Sequence, residues 1–313
     1  MTAEQAPFYA DVAEAPAGVS AHWLTCADDV RIRAAFWAKG ARGTVFLLPG
    51  RTEYVEKYGP AAGDLAKRGY ATLTVDWRGQ GLADRPLSRS EIGHVEHFLD
   101  FQTDLDALLK LARKAGLPEP YFLLAHSMGG AIGLRAIYRN LPFRAVAFSA
   151  PMWGIRLHSA LRPLAWGLST FGRVIGQGHH LAPGTSGTTY VAEAPFFDNV
   201  LTSNPEMYAF MQRQVAVHPE LALAGPSLHW LSEALRECHL LAQMTSPELP
   251  CITALGTQER IVDIAPIHTR MDSWPEGRLE LIEGAEHEVM MEGPAARARF
   301  YDMATALFDA QPR

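Results

Sequence analysis

A chain of 313 residues, 48% apolar and 20% charged, can bury a large core, either as one domain with an insertion or as two small ones. Its net charge of −6 gives no reason to expect a nucleic-acid partner, and no stretch reaches the ~20 apolar residues of a membrane-spanning helix. Cys26, Cys238 and Cys251 are far apart, odd in number and outside any metal-ligand spacing, so they read as reduced, mostly buried thiols of a cytosolic protein.

The N-terminus carries Glu4, Asp11 and Glu14 and lacks a basic start before an apolar run, which argues against a secretory signal. Arg31 to Ala38 alternates as a strand, paired with one near Ser20 to Cys26. Thr44 to Leu48 is a short buried strand ending in Pro49-Gly50. Tyr58 to Arg68 is helical and stops at Gly69, a left-handed cap. Ala71 to Val75 is a further strand. Val95 to Ala115 places Phe98, Phe101, Leu105, Leu108 and Leu109 on one helical face and ends at Gly116 and Pro118. Tyr121 to Ala125 is an apolar strand, followed by a tight turn and a helix over Ala131 to Tyr138. Ala145 to Phe148, Pro250 to Leu255 and Leu279 to Ile282 are strands, and Met303 to Phe308 belongs to a closing helix.

Strands alternating with helices imply an α/β fold: a mostly parallel central sheet with helices on both faces and the loops after the strands gathered on one rim. The alternation breaks between about Pro151 and Pro247. That stretch holds aromatics, prolines, glycines and helical segments but no clear strand. It reads as an inserted helical cap over 151–246 on a core of 1–150 and 247–313, and Asn204-Pro205-Glu206 marks a helix start inside it.

Ser127 stands at the corner between the strand Tyr121 to Ala125 and the following helix. A serine lifted on such a strand-to-helix corner is a nucleophile elbow, and the corner needs small residues on either side. Ala125 stands where the motif usually has glycine, and Gly129 fills the other place. A serine hydroxyl needs a base, and the base needs a group that fixes its tautomer. His268 and His287 are the histidines beyond the cap. His268 falls inside a helix, whereas His287 follows the strand Leu279 to Ile282 and the turn Glu283-Gly284-Ala285-Glu286, on the active rim. The acid is expected after the preceding strand, where Glu259 and Asp263 both qualify. Glu259 is preferred because it comes sooner after the strand. Oxyanion donors are expected from the backbone N–H groups of Met128, just after the serine, and Arg51, in the loop after the third strand.

Together these segments resemble a known family. Leu48-Pro49-Gly50-Arg51-Thr52-Glu53 with Lys57-Tyr58, Asp76-Trp77-Arg78-Gly79-Gln80-Gly81 and Ala125-His126-Ser127-Met128-Gly129-Gly130 are similar to the lysophospholipase L2 and monoacylglycerol lipase group of α/β-hydrolases. Leu201-Thr202-Ser203, Gly225-Pro226-Ser227-Leu228-His229-Trp230 and Glu283-Gly284-Ala285-Glu286-His287-Glu288 resemble its bacterial lysophospholipase L2 branch. The resemblance covers nearly the whole chain after about residue 20, with the motifs in order. It implies an α/β-hydrolase fold and a serine lipase or esterase with a helical cap and no metal or organic cofactor. It makes Ser127 the nucleophile, His287 the base, and the Arg51 and Met128 N–H groups the oxyanion hole. The family's acid is usually aspartate at the position of Glu259. Asp76 and Arg78 are assigned structural work, bracing neighbouring loops.

From Tyr121 to Ala192 there are six arginines and no Asp, Glu or Lys, so that span is +6 within a chain of −6. Leu157, Leu161, Leu164, Leu168, Phe171 and Ile175 form a stripe flanked by Trp153 and Trp166 and interrupted by Pro163. One reading is a greasy, basic flap that faces lipid and attracts anionic headgroups, with peripheral contact at the inner membrane surface. The other is a lid packing its stripe onto the core. Either way the cap is expected to wall an apolar acyl tunnel over Ser127, with Trp153, Leu157 and Trp230 as candidate substrate contacts. The expected substrate is a single-acyl lipid ester, a lysophospholipid or monoacylglycerol. The alternatives are a general carboxylesterase or acyltransferase on smaller esters and, in a different class, a non-catalytic binding protein.

Overall fold

The computed structural model describes residues 4–156 and 177–312. Nine strands form one sheet: β1 (Glu4–Gln5), β2 (Val19–Thr25), β3 (Arg31–Trp37), β4 (Thr44–Leu48), β5 (Ala71–Asp76), β6 (Tyr121–His126), β7 (Phe143–Ser149), β8 (Cys251–Gly256) and β9 (Gly277–Ile282). Their order is β1-β2-β3-β5-β4-β6-β7-β8-β9. Strands β4 to β9 are parallel to one another, and β3, β2 and β1 extend the sheet beyond β5 by antiparallel pairing.

Every residue of β4, β5, β6 and β8 is buried, so β4 and β6 read as nearly continuous apolar runs, while β5 alternates with the buried Thr72, Thr74 and Asp76. The two-residue side-chain period then divides them between two cores. Phe46, Leu48, Leu123, Ala125, Val146 and Phe148 face the helices Asp100–Lys114 and Met128–Ile137. Val45, Leu47, Phe122, Leu124, Ala145 and Ala147 face the opposite layer, whose closing helix is Pro294–Asp309.

The helix expected from Val95 begins at Asp100 instead. Phe98 stays outside it because its N–H donates to the Glu233 carboxylate at 3.2 Å, and the His97 N–H donates to Asp100 Oδ2 at 3.0 Å. The closing helix is longer than its apolar pattern, starting at Pro294, which suits the first helical turn. Between β7 and β8 the described residues form helices at Tyr190–Glu193, Pro205–Val217 and Leu228–Ala242 and no strand. Asn204 caps the second of these, accepting from the Met207 N–H at 2.9 Å, as Asn204-Pro205-Glu206 foretold. No described helix is long and apolar enough to cross a membrane.

Parallel strands place the loops after β4, β6, β8 and β9 on one rim. The tightest is the corner after β6. Ser127 sits there at φ +50°, ψ −118°, a strained conformation for a residue with a Cβ. The following helix crosses close to β4: a Cβ on Gly129 would collide with the carbonyl oxygens of Leu48 and Pro49. Gly129→Ala is therefore expected to cost about 1–3 kcal/mol through forced displacement of the Leu48–Pro49 backbone. A lowered urea midpoint at unchanged slope would show it.

Candidate active site

His287 lies in the loop after β9, buried, with Nδ1 2.7 Å from Glu259 Oε2. Glu259 lies in the loop after β8. Its other oxygen, Oε1, accepts from the N–H groups of Ile261 at 2.6 Å and Val262 at 3.0 Å. One carboxylate oxygen is thus pinned by the turn and the other is aimed at the imidazole. Burial alone would raise the Glu259 carboxyl, but the His287 charge and the three hydrogen bonds outweigh it and hold it below its ordinary value. For His287 burial works downward, and the Glu259 carboxylate, with Glu288 and Glu53 behind it, lifts the imidazole above its ordinary value. Asp263, the other carboxylate considered from the sequence, caps the helix Ile264–Asp272, with Oδ1 accepting from the Ala265 N–H at 3.2 Å. His268 lies within that helix and is partly exposed.

Ser127 and His287 line the same cavity of about 620 Å³. Gly50 backs onto the serine: a Cβ placed there would lie 3.0 Å from Ser127 Cβ. Arg51 also lines the cavity. Met128 opens the helix Met128–Ile137, so its N–H has no carbonyl one turn back. The remaining wall comes largely from 182–231, including Tyr190, Leu223, Pro226 and Trp230.

Of the three residues expected to touch substrate, Trp230 lines the cavity and Leu157 lies outside the described residues. Trp153 corrects the expectation. It is absent from the cavity wall and packs into the core, edge-on to Phe148 at 5.0 Å and stacked on Trp274 at 6.1 Å, with its indole N–H donating to the Gly130 carbonyl at 3.2 Å. The flap stripe also lies outside the described residues. Asp76 and Arg78 brace loops as expected: Asp76 takes Arg33 Nε at 2.7 Å and the Val55 and Leu82 N–H groups, and Arg78 holds Asp104 and Asp28.

The sequence reading missed an ion cluster beside the serine. Lys57 Nζ lies 2.7 Å from Glu53 Oε1 and 2.6 and 2.5 Å from the two oxygens of Glu288. Glu53 also accepts from the Gly50 N–H and the Tyr58 hydroxyl. His126 completes the group, with Nε2 3.5 Å from Glu53 Oε1 and its ring 4.8 Å from that of His287. Burial, with the neighbouring His287 and Lys57 charges, keeps His126 below its ordinary value and so neutral. Glu53, His126 and Glu288 have metal-ligating atoms within 4.8 Å of one another. The Lys57 ammonium bonds both carboxylates and already supplies the charge a cation would bring. The available signals were the four-residue spacing of Glu53 and Lys57 and the acid directly after His287.

The family model described as "Serine aminopeptidase, S33" matches residues 39–294. Lysophospholipase L2 of Escherichia coli K12 is 33% identical over 293 residues, covering 88% of this chain and 83% of the relative. A probable lysophospholipase L2 of Haemophilus influenzae is 29% identical, with 80% and 79% covered. Among solved structures, a soluble variant of monoglyceride lipase from Saccharomyces cerevisiae in complex with a substrate analog superposes with a TM-score of 0.70 at 20% identity, covering 91% of this chain and 93% of that one. The chain belongs to the serine aminopeptidase S33 family of α/β-hydrolases, in its lysophospholipase L2 and monoacylglycerol lipase group.

Proposed function

We propose that the chain hydrolyses the carboxylic ester of a single-acyl lipid, a lysophospholipid or monoacylglycerol, through an acyl-enzyme on Ser127. The observation that carries this reading is a serine at a strained corner facing the same largely apolar cavity as a histidine whose far nitrogen is held by a buried carboxylate. The names of the curated relatives support the substrate class.

In this mechanism Glu259 keeps the proton on His287 Nδ1, leaving Nε2 as the base. Nε2 takes the Ser127 proton as Oγ attacks the ester carbonyl. The Arg51 and Met128 N–H groups receive the oxyanion, a contribution of about 3–4 kcal/mol for each donor. His287 then protonates the departing glycerol oxygen. Water then gives a proton to Nε2 as it attacks the acyl carbonyl, the bond to Ser127 Oγ breaks, Nε2 returns the proton to Oγ, and the fatty acid leaves. The bonds from Ile261 and Val262 to Oε1 hold the Glu259 carboxylate so that Oε2 reaches the imidazole.

Residues 151–246 act as the cap, supplying most of the wall opposite the serine. Tyr190, in that wall, and the exposed Phe197 nearby give the cap an aromatic edge suited to a lipid surface. Peptide hydrolysis, named in the family's description, finds less support. An aminopeptidase needs a carboxylate for the substrate's terminal ammonium, and Glu53 and Glu288 in the described lining are both engaged by Lys57.

A panel of 1-acyl lysophospholipids, monoacylglycerols, nitrophenyl esters of increasing chain length and amino-acid amides tests this. Preference for long single-chain lipid esters is expected, with Ser127→Ala losing at least about a thousandfold in kcat and labelling by a fluorophosphonate. Full activity in Ser127→Ala, or a preference for amides, would defeat the proposal.

The site also fixes a pH dependence. Only neutral His287 is a base, and its neighbours lift it above 6.5, so the acid limb of kcat/KM is expected above that pH. Glu288→Gln removes one of the lifting charges and leaves Lys57 less neutralised. Both effects favour the neutral imidazole, so the limb should move to lower pH. An upward shift in the pH–rate profile would contradict the assignment of His287 as the base.

A further inference from the structure

The loop that carries the proposed oxyanion donor also carries a charge the mechanism leaves idle. The Arg51 side chain leaves the loop after β4 and reaches the cap segment, where Nη2 donates to the Ala224 carbonyl and the guanidinium lies 5.2 Å from the Trp230 ring centroid. Its Nε is buried and has no acceptor among the described residues. Among the described residues no carboxylate pairs with it. Glu53 and Glu288, the acids of the described cavity lining, are held by Lys57. The undescribed residues 157–176 contain neither Asp nor Glu, so that segment cannot supply one.

A cation partly withdrawn from water without a counter-charge is costly. Burial pushes the Arg51 guanidinium down to about 9, which still leaves it charged at neutral pH. Arg33, by contrast, is fully buried with Asp76 and Glu56 each at 2.7 Å. The cost at Arg51 falls on the cavity wall, where a ligand's charge could relieve it.

We propose that the Arg51 guanidinium is a subsite for phosphate, binding the headgroup oxygens of a lysophospholipid and so selecting phosphate-bearing esters over neutral glycerolipids. This rests on the single-acyl lipid reading above. The chemistry matches in kind: guanidinium presents a fork of N–H donors that suits a phosphate. It also matches in reach. The Arg51 backbone N–H is assigned to the ester oxyanion, and about as many covalent bonds separate that nitrogen from Cζ as separate a 1-acyl carbonyl carbon from phosphorus across glycerol. One residue can thus address both the ester carbonyl and the phosphate of the leaving alcohol. Arg51 is a specificity residue here, distinct from a brace that only fastens the cap to the core.

Two measurements on the full chain separate these roles. The first is the ratio of kcat/KM for lysophosphatidylglycerol to that for monoacylglycerol of the same acyl length, in which the fraction of folded protein cancels. It should fall about tenfold or more in Arg51→Gln and less in Arg51→Lys, as expected for a charge-assisted bond. A ratio that stays within about twofold while both activities drop together would reduce Arg51 to a brace and overturn the proposal. The second is calorimetric titration of Ser127→Ala with glycerol 3-phosphate, inorganic phosphate and glycerol, repeated with Arg51→Gln added. Binding of glycerol 3-phosphate that exceeds both others and is lost with Arg51 supports the headgroup site. Equal binding of inorganic phosphate assigns the site to a free anion and overturns headgroup recognition. Should the wild type cleave neither lipid, the proposed function falls and the calorimetry alone decides Arg51, with no preference for glycerol 3-phosphate over glycerol refuting the subsite.

Discussion

One buried ammonium ties together the loops that build the rim. Lys57 Nζ joins Glu53, in the loop after β4, to Glu288, the residue after His287 in the loop after β9. Glu53 in turn takes the Gly50 N–H, and Gly50 backs onto Ser127. Two carboxylates buried this close would repel each other or pick up protons without the cation between them. Losing one member of such a cluster costs on the order of 3–5 kcal/mol because a naked charge remains. The same charges reach the imidazole: Glu288 and Glu53 lift His287 along with Glu259. Holding the loops and raising the imidazole are therefore one electrostatic arrangement.

The acid is held with comparable economy. The segment after β7 bridges to the loop after β8 through Ile155 and Val262, and Arg156 Nη1 reaches the Glu259 carbonyl at 3.2 Å. The turn that presents the Glu259 carboxylate is thereby stitched to the segment after β7. Movement of that segment would be felt at Glu259, and the neighbouring Arg260 extends the link by pairing with Glu286 at 2.8 Å, one residue before His287.

The sequence made the sheet legible because central strands such as β4 and β6 are buried on both faces and so spell apolar runs. The elbow was legible because its small residues sit at fixed offsets from a serine. Element ends were less so: Glu233, distant in the chain, takes the Phe98 N–H and delays a helix whose apolar stripe begins earlier. Trp153 misled for a related reason. A tryptophan flanking an apolar stripe in the expected cap reads as a pocket residue, and only the fold reveals Trp274 and Phe148 waiting to enclose it. The Lys57 cluster was hidden because its members lie far apart in the chain, and no local pattern distinguishes a buried charge from a solvated one. Glu259 and Asp263 could not be ranked by chemistry alone. The turn at Ile261 and Val262 separates them in space, turning one towards the imidazole and committing the other to a helix cap.

Ala125 occupies the position where the elbow motif usually has glycine, and the helix opposite shows how it fits. Gly133 faces it, and a Cβ on Gly133 would come within 3.2 Å of the Ala125 methyl. The methyl has been moved across the strand–helix contact, so the joint volume stays small although one letter of the pattern has changed. A search pattern that insists on glycine before the serine tests the wrong quantity. What the crossing tolerates is a sum over two facing positions, and chains that divide that sum differently belong to the same architecture.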